Sequence, residues 1–438
     1  MAGRPAAVAR LPAVASLPAV ARLPSVATET TGPDAVLELD ALRESIGADL
    51  PAYLADLERL VNIDCGSYTP DGVDEVGRWV AAFLEGLGAQ VEVRPDPAGR
   101  FGSTVVGTFA GTPTGPRILL IGHMDTVFDP GTAAARPFRI VEGVAYGPGV
   151  TDMKSGLLAG LYALKSIIGE DGGLPFERLT FIANPDEEIG SPSSSVHIRA
   201  AAAEVDACLV LECARANGDI VSARKGILDT RMAVNGRAAH AGVEPEKGRS
   251  AILEAARLVR DLHALNGRWA GVTVNVGKIH GGTRPNVVAE RCDLEVDVRS
   301  TTADGLREVE DAIRSVAATT EVADTTVDVD VRVAWLPMEK LERSGRIVEH
   351  AQAIAERLGF SVNDTATGGA SDANTTSGMG VPTLDGLGPI GGNDHSPAEY
   401  LDVDSIVPRT TMLAGLLLAI GRDPAVLEWR RDDPRFGS

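Results

Sequence analysis

Six side chains of the kinds that bind metal ions lie in five short, widely separated stretches of this 438-residue chain. They are His123, Asp152, Glu187, Glu188, Glu212 and His395. Imidazole nitrogens and carboxylate oxygens are ligands that divalent ions such as zinc accept in proteins. Two such ions can turn a water molecule into a nucleophile that attacks an amide carbonyl. These residue types therefore predict a hydrolytic centre built on two divalent ions.

Strand-like segments lead up to several of these residues. The apolar segments 117–122, 178–184 and 207–212 precede, or end at, His123, the Glu187–Glu188 pair and Glu212. Ligands of open α/β sheets bind beyond the carboxyl ends of the strands. We therefore expect these side chains to converge at one edge of a sheet.

Each of these signals also has a simpler structural interpretation. Asp152 stands just before an apolar helix predicted at 153–169, where aspartate is a common N-cap. Glu187 and Glu188 could simply form a solvated acidic turn. Adjacent side chains of an extended segment point in opposite directions, however, so one glutamate could bind metal while the other faces substrate. His395 lies in a glycine-rich loop whose backbone could fold tightly around a ligand.

Four further residues could support catalysis. Asp125, two positions after His123, could accept a hydrogen bond from the ring N–H that faces away from the metal, which would fix the tautomer. His240 and Asn286 lie in a later region and could meet a substrate. Arg299 could grip a carboxylate with two parallel N–H donors. The simpler alternatives are a loop histidine for His240 and a surface salt bridge for Arg299.

The hydrophobic pattern predicts two kinds of structure. Up to about residue 225, short apolar strands alternate with helices predicted at 35–63, 78–89 and 153–169, as in an α/β layer with a mostly parallel sheet. From 226 to 336, strands that alternate apolar and polar side chains follow the order β-α-β-β-α-β of a ferredoxin-like unit. A helix predicted at 407–421 belongs to the first pattern, which resumes near residue 337.

The predicted fold class is an α/β catalytic domain with a mostly parallel sheet and an inserted ferredoxin-like α+β (βαββαβ) domain. The predicted parts are a low-complexity leader at 1–34, a first catalytic part at 35–225, the insert at 226–336 and a second catalytic part at 337–438. Residues 11–28 of the leader repeat a six-residue phrase whose prolines forbid a continuous helix, so we expect this segment to be disordered.

The charge of the chain argues against some classes of partner. Its formal net charge is −20, whereas binding to nucleic acid requires a basic surface, so we expect no nucleic-acid and no membrane partner. No stretch reaches the roughly 18 uninterrupted apolar residues of a membrane span, and a signal peptide would need an uninterrupted apolar region. The four cysteines form no CxxC pair, which favours free thiols in a reducing compartment. The expected location is the cytoplasm.

Seven motifs surround or follow these residues in order along the chain. They are GHMDTV, GPGVTDMKSG, NPDEEIGS, the glutamate after LVL, GRAAHAGVEP, GGASDANTTS and NDHSPAEY. In sequence and spacing they resemble the M20 family of metallopeptidases, and most of all its glutamate carboxypeptidase type. The resemblance extends from about residue 40 to about residue 420. One departure is Ala289, where the family usually has proline.

The resemblance implies a zinc-peptidase domain with two zinc ions, for which Co²⁺ or Mn²⁺ could substitute. Asp152 would bridge the two ions. His123 and Glu212 would complete the ligands of one ion, and Glu188 and His395 those of the other.

The resemblance also implies roles for the remaining residues. Glu187 would be the general base for a hydroxide that bridges the ions, and Asp125 would orient a ligand. His240 would reach from one subunit into the active site of its neighbour and stabilise the oxyanion. Asn286 and Arg299 would contact the substrate. The insert would then be a lid and the interface of a homodimer.

We therefore expect a metallohydrolase that cleaves an amide bond and releases a C-terminal amino acid from a small peptide or an N-acyl amino acid. The alternatives are an aminoacylase acting on N-acyl amino acids, or a small dipeptidase of the same family, because the pocket side chains decide the substrate. A non-catalytic metal-binding protein would need no base at Glu187. A nucleotide-binding protein would need a GxGxxG or Walker motif, which the glycines at 147–156 do not form.

Overall fold

The computed structural model describes residues 33–168 and 173–432. The predicted disordered leader, with its repeat at 11–28, lies outside the described residues. Only its last two positions, Pro33 and Asp34, are described, and they begin the first helix.

Helices and strands alternate along most of the described chain. The helices are α1 (Pro33–Val61), α2 (Pro70–Gly86), α3 (Thr132–Ala135), α4 (Ser155–Ile167), α5 (Ser195–Ala202), α6 (Ala251–His263), α7 (Ala303–Ala317), α8 (Glu342–Arg357), α9 (Asp372–Gly378), α10 (Ile406–Arg422) and α11 (Pro424–Asp432). The strands are β1 (Gln90–Arg94), β2 (Thr104–Ala110), β3 (Arg117–His123), β4 (Arg139–Val141), β5 (Val144–Tyr146), β6 (Arg178–Asn184), β7 (Ala207–Val210), β8 (Ile220–Arg224), β9 (Gly226–Asn235), β10 (Thr273–Gly281), β11 (Arg291–Ser300), β12 (Thr326–Trp335), β13 (Asp364–Thr367), β14 (Thr383–Leu384), β15 (Gly391–Gly392) and β16 (Tyr400–Asp402).

A six-stranded sheet with the order β1-β2-β6-β3-β7-β14 forms the centre of the molecule. Strands β6, β3, β7 and β14 run parallel to one another, whereas β1 and β2 are antiparallel additions at one edge. The predicted α/β class with a mostly parallel sheet is therefore confirmed. The carboxyl ends of the parallel strands meet at one edge, where the candidate ligands follow them.

Strand β3 illustrates why the parallel strands are apolar at successive positions. Ile118 and Leu120 belong to the core that the sheet forms with α1, α4 and α10. Leu119 and Ile121 point to the opposite face and pack in a second core with α5 and α9. Because helices cover both faces, every position of the strand after Arg117 is buried.

Helix α2 begins earlier than the apolar pattern predicts. The prediction was 78–89, whereas the helix extends over Pro70–Gly86. Pro70 stands in the first turn, where proline is well tolerated because its missing N–H would have no helical acceptor. Val73 and Val76 extend the buried face of the helix toward its start.

A second, four-stranded antiparallel sheet has the order β10-β11-β9-β12. With α6 and α7 it follows the predicted order β-α-β-β-α-β along the chain. These elements share their own apolar core, which includes Leu228, Leu258, Val298 and Ile313. The chain then returns to the first part of the fold, because β13 pairs in parallel with β8 and β14 with β7.

One segment of the described chain is long and apolar enough to cross a membrane by length and composition alone. It is Val403–Arg422, which contains α10, and 72% of its most apolar window is buried inside the fold. Helix α10 packs against α1, α4 and α8. A core helix passes such a test as readily as a membrane span does.

Candidate metal centre

The carboxyl edge of the central sheet brings the six predicted ligand and base residues toward one place. His123 is the last residue of β3, the Glu187–Glu188 pair follows β6, and Glu212 follows β7. Two groups of possible ligand atoms result, each with all its atoms within 4.8 Å of one another. They are His123, Asp152 and Glu212, and Asp152, Glu188 and His395. Asp152 belongs to both groups.

In the first group, His123 and Glu212 are buried and Asp152 is half-buried. Nε2 of His123 lies 3.2 Å from Oδ1 of Asp152 and 3.7 Å from Oε1 of Glu212. His123 is only 1% exposed. His123 is thus held at the end of β3, and Glu212 is held just after β7. Both side chains are buried, so neither can turn into solvent.

The second group lies at the mouth of the site. Nε2 of His395 lies 3.0 Å from Oε2 of Glu188 and 3.2 Å from Oδ2 of Asp152. The two oxygens of Asp152 thus face different histidines. The His395 side chain is 55% exposed, and its backbone has a φ of 60°, which non-glycine residues rarely adopt.

Asp125 lies beneath both groups and is fully buried. Nδ1 of His123 is 3.0 Å from the backbone carbonyl oxygen of Asp125 and 3.3 Å from its carboxylate. The carboxylate also accepts a hydrogen bond from the hydroxyl of Ser67 at 2.6 Å and from the N–H groups of Glu187 and Glu188 at 3.1 and 3.2 Å. This one carboxylate contacts both the imidazole and the turn that carries the two glutamates.

The ionisation of the site follows from crowding of buried carboxylates. Burial raises the pKa of Glu212 to about 8, and the nearby Asp152 carboxylate adds to the rise. Burial likewise raises the pKa of Glu187 well above its usual range. Hydrogen bonds to Asp152 and Glu188 raise the pKa of His395 to about 11. Buried acids that repel one another and attract positive charge are a donor set that fits divalent cations.

Three residues near the turn after β6 escaped the sequence analysis. Asp372, 1% exposed, accepts hydrogen bonds from the hydroxyl of Ser191 at 2.6 Å and from the amide of Asn184 at 2.7 Å. Burial raises the pKa of Asp372 to about 7. The motif GGASDANTTS contains this aspartate, but no local pattern connects it with β6 or with the turn.

A fourth unanticipated residue is Glu399, which is buried next to the loop before Asp152. Its carboxylate accepts hydrogen bonds from three backbone N–H groups of that loop. The only sequence signal was its place in the motif NDHSPAEY, four residues after His395.

The predicted substrate residues of the four-stranded unit lie apart from the ligand groups. His240 and Asn286 are exposed, and the backbone N–H of Ala241 donates to the carbonyl of Asn286 at 3.0 Å. Among the described residues, no hydrogen bond or ion pair joins either side chain to a candidate ligand.

Arg299 contacts a different part of the fold. Its Nη1 donates to the carbonyl oxygen of Gly368 at 2.7 Å, and its Nε donates to Asp297 at 3.0 Å. The buried Arg224 donates to the next carbonyl, that of Gly369, at 3.1 Å. The GGAS loop that leads to Asp372 is therefore held by Arg299 of the four-stranded sheet and by Arg224 of β8.

Comparisons with known proteins identify the family of this chain. The sequence profile of peptidase family M20/M25/M40 matches residues 119–419. Carboxypeptidase G2 of Pseudomonas sp. (strain RS-16) is 31% identical over 375 residues, which cover 85% of this chain and 90% of that protein. Succinyl-diaminopimelate desuccinylase of Dechloromonas aromatica (strain RCB) is 28% identical, with coverage of 78% and 92%.

Solved structures agree on the fold. Aminopeptidase PepT from Bacillus cereus ATCC 10987 superposes with a TM-score of 0.71 at 24% identity, covering 85% of this chain and 99% of that one. Human carnosine dipeptidase 1 gives a TM-score of 0.65 at 15% identity, with coverage of 88% and 100%. The family is metal-dependent and typically binds zinc. The motif resemblance is thus confirmed, and this chain belongs to peptidase family M20, whose members are peptidases and amidohydrolases.

Proposed function

We propose that this protein is a metallocarboxypeptidase that cleaves an amide bond and releases a C-terminal amino acid, in the manner of a glutamate carboxypeptidase. The observation that carries the proposal is the pair of ligand groups that share Asp152, with Glu187 bound through its N–H to Asp125, which also contacts His123. The similarity to a protein named carboxypeptidase G2 over most of both chains supports the substrate class.

The metal part of the proposal is a pair of zinc ions. Asp152 would bridge them, His123 and Glu212 would complete one site, and Glu188 and His395 the other. Such ions would lower the pKa of a bound water and polarise the carbonyl group, whose carbon the water attacks. Co²⁺ and Mn²⁺ accept the same nitrogen and oxygen donors and could replace zinc.

Glu187 would move the proton. Burial and neighbouring carboxylates such as Glu212 raise its pKa above the usual range, and a carboxylate held beside the attacking water can act as a general base. It would take the proton of the attacking water and return it to the leaving nitrogen. The hydrogen bond from its own N–H to Asp125 would keep it at the edge of the ligand groups.

Residues of the four-stranded unit would complete the substrate site. Arg299 would bind the α-carboxylate of the leaving amino acid, with Asn286 contacting the substrate. His240 would act on the oxyanion in the site of a second copy, since it is exposed and makes no polar contact with the described ligand residues of its own chain. This part of the proposal includes a homodimer and a lid formed by residues 226–336, between catalytic parts at 35–225 and 337–438.

The second candidate function is hydrolysis of N-acyl amino acids or dipeptides. Relatives named succinyl-diaminopimelate desuccinylase and acetylornithine deacetylase support it, because their coverage of this chain is similar to that of the carboxypeptidase.

A cytoplasmic location is also proposed. The four cysteines are free and buried, and free thiols are typical of a reducing compartment.

A substrate panel tests the proposal. The protein, reloaded with a known amount of zinc, is assayed with acyl-glutamates, other N-acyl amino acids, acetylornithine and dipeptides, each with and without a chelator. Chelator-sensitive release of glutamate from acyl-glutamates, faster than any deacylation of the small acyl substrates, supports the carboxypeptidase. Faster hydrolysis of substrates with short acyl groups supports the second candidate function. If the fully zinc-loaded protein hydrolyses none of these substrates, both candidate functions are contradicted.

A further inference from the structure

A buried carboxylate connects the two loops that carry Asp152 and His395. Glu399 is 1% exposed. Its Oε1 accepts hydrogen bonds from the N–H groups of Thr151 at 2.9 Å and of Asp152 at 3.1 Å, and its Oε2 accepts one from Gly149 at 2.9 Å. One side chain therefore binds three of the four N–H groups between positions 149 and 152.

The backbone of this loop needs an external acceptor. Gly149 has a φ of +71°, and Asp152, with φ −113° and ψ 93°, lies outside the helical region. The regular helix α4 begins only at Ser155. N–H groups ahead of a helix have no intrahelical carbonyl, and leaving them buried and unpaired is costly. A carboxylate at this place satisfies these donors.

Strand β15, which leads into the loop of His395 and Glu399, lies directly against the same segment. A Cβ atom added to Gly391 would lie 2.0 Å from the Thr151 hydroxyl oxygen and 2.4 Å from the Tyr400 carbonyl oxygen. Glu399 lies on this loop, four residues after His395. The position of His395 relative to Asp152 thus depends on the close contact at Gly391 and on the three hydrogen bonds of Glu399.

We propose that Glu399 is a positioning residue that sets Asp152 at the correct place to bridge two cations and aligns it with His395. This inference rests on the proposed metal centre. Loss of Glu399 should therefore affect the two proposed metal sites unequally. His123 and Glu212 adjoin strands β3 and β7 and keep their places without Glu399, whereas the site of Glu188 and His395 takes one of its ligands from the Glu399 loop.

The test is Glu399→Gln, which keeps the size of the side chain but replaces one acceptor oxygen by an NH₂ group. Zinc per chain is measured after equilibration with graded concentrations of chelator. The cobalt-substituted protein is examined by visible absorption, which reports the geometry around each ion. We expect one ion to remain bound nearly as in the wild type and the other to bind about 10- to 100-fold more weakly, with a changed cobalt spectrum.

Glu254→Gln is the matched control. Glu254 is fully buried in α6 and accepts hydrogen bonds from the N–H groups of Glu321 and Val322 at 2.8 Å each, far along the chain from the ligands. Its substitution removes the same kind of contact and also weakens the ion pair of Glu254 with Arg257 at 2.7 Å. We expect the midpoint of thermal unfolding to decrease at least as much as in Glu399→Gln, with zinc content and cobalt spectrum unchanged.

The result that overturns the inference is a folded Glu399→Gln variant with both zinc affinities and the cobalt spectrum of the wild type. If this variant does not fold, Glu399→Asp, which keeps the charge but shortens the reach by one methylene, takes its place with the same expected and contradicting results. These readouts need no substrate. Failure of the substrate panel with wild-type protein carrying two ions would therefore contradict the proposed function and leave the inference about Glu399 standing.

Discussion

The backbone N–H of Glu187 donates a hydrogen bond to the carboxylate of Asp125 at 3.1 Å. The same carboxylate accepts from the N–H of Glu188 and lies 3.3 Å from the imidazole of His123. One buried group therefore contacts the proposed base and one proposed ligand of each ion. A change at Asp125 should disturb metal binding and catalysis together.

Asp125→Asn should weaken metal binding about 10- to 100-fold, as is typical when a partner of metal ligands is lost. The new amide can present only one acceptor oxygen, and each oxygen of Asp125 accepts from one N–H group of the glutamate turn, so one of these two N–H groups loses its partner. The amount of metal bound per chain, measured after equilibration with graded concentrations of chelator, gives this affinity. Asp96→Asn is the control, because Asp96 also accepts from backbone N–H groups, but in an exposed turn. Equal metal affinity in wild type and Asp125→Asn would contradict the prediction.

Glu187→Gln should keep both ions and lower kcat by about 10²- to 10⁴-fold, the usual contribution of a general acid–base group. The amide cannot accept the proton of the attacking water, yet none of the proposed ligands has changed. Glu188→Gln provides the contrast, since it should lose metal from one site. Zinc content and kcat are measured on the same preparations. Undiminished turnover by a fully loaded Glu187→Gln protein would remove this residue from the role of base.

Arg299→Ala should raise KM by about 10- to 100-fold for substrates with a free α-carboxylate, because a hydrogen bond to a charged group is lost. The same substrates with an amidated C-terminus should show a much smaller change. Arg332→Ala, which removes an exposed pair with Asp229 in the same unit, should leave both KM values unaltered. If Arg299→Ala lost equal efficiency on free and amidated substrates, binding of the carboxylate by Arg299 would be refuted.

His240→Ala should raise the barrier of the reaction by about 2.7–4 kcal/mol, the cost of losing one oxyanion donor. If His240 acts in the site of a second copy, this variant and Glu187→Gln should complement each other. A mixed dimer would contain one site with an intact base and an intact histidine. Co-refolding the two inactive variants and assaying the mixture measures this. Activity no greater than the sum of the separate variants would place His240 outside the partner site.

The stability of the protein should depend on Asp423 in a pH-dependent way. This buried carboxylate accepts hydrogen bonds from the imidazole of His350 and from Arg346, each at 2.8 Å. Burial opposes its ionisation, but these two partners outweigh burial and hold the pKa of Asp423 well below its usual value. A lowered pKa in the folded state gives stabilisation that is present above the unfolded pKa of about 3.9 and is lost as the pH falls further.

Asp423→Asn should therefore reduce the free energy of unfolding by about 1–3 kcal/mol at pH 7, and the difference should shrink below about pH 4. Urea unfolding at both pH values measures this. Glu92→Gln, in an exposed pair with Arg94, should change stability by less than about 1 kcal/mol. A penalty for Asp423→Asn that stays constant with pH would show that the charge of Asp423 is unimportant.

The sequence was sufficient to predict those parts of the site that depend on local pattern. The apolar run 117–122 predicts a strand buried on both faces, and a strand end then gives the location of His123. The same reasoning places Glu212 beyond β7, where the structure has it. The ferredoxin-like order of the region after residue 226 also follows from local pattern, because strands with period-two alternation are separated by segments with helical periodicity.

Residues that act through long-range contacts could not be predicted in this way. Glu399 binds backbone N–H groups some 250 positions earlier, and Asp372 binds Ser191, so no local period or spacing marks either role. The start of α2 at Pro70 was missed for another reason. Its first turns contain few apolar residues, and the buried face becomes evident only from the packing of Val73 and Val76.

The central claim is that two cations share Asp152, and anomalous diffraction from crystals of the zinc-loaded protein at the zinc edge tests it most directly. The account predicts two peaks on opposite sides of this carboxylate, one beside His123 and Glu212 and the other beside Glu188 and His395. A single peak, or peaks that do not flank Asp152, would contradict it.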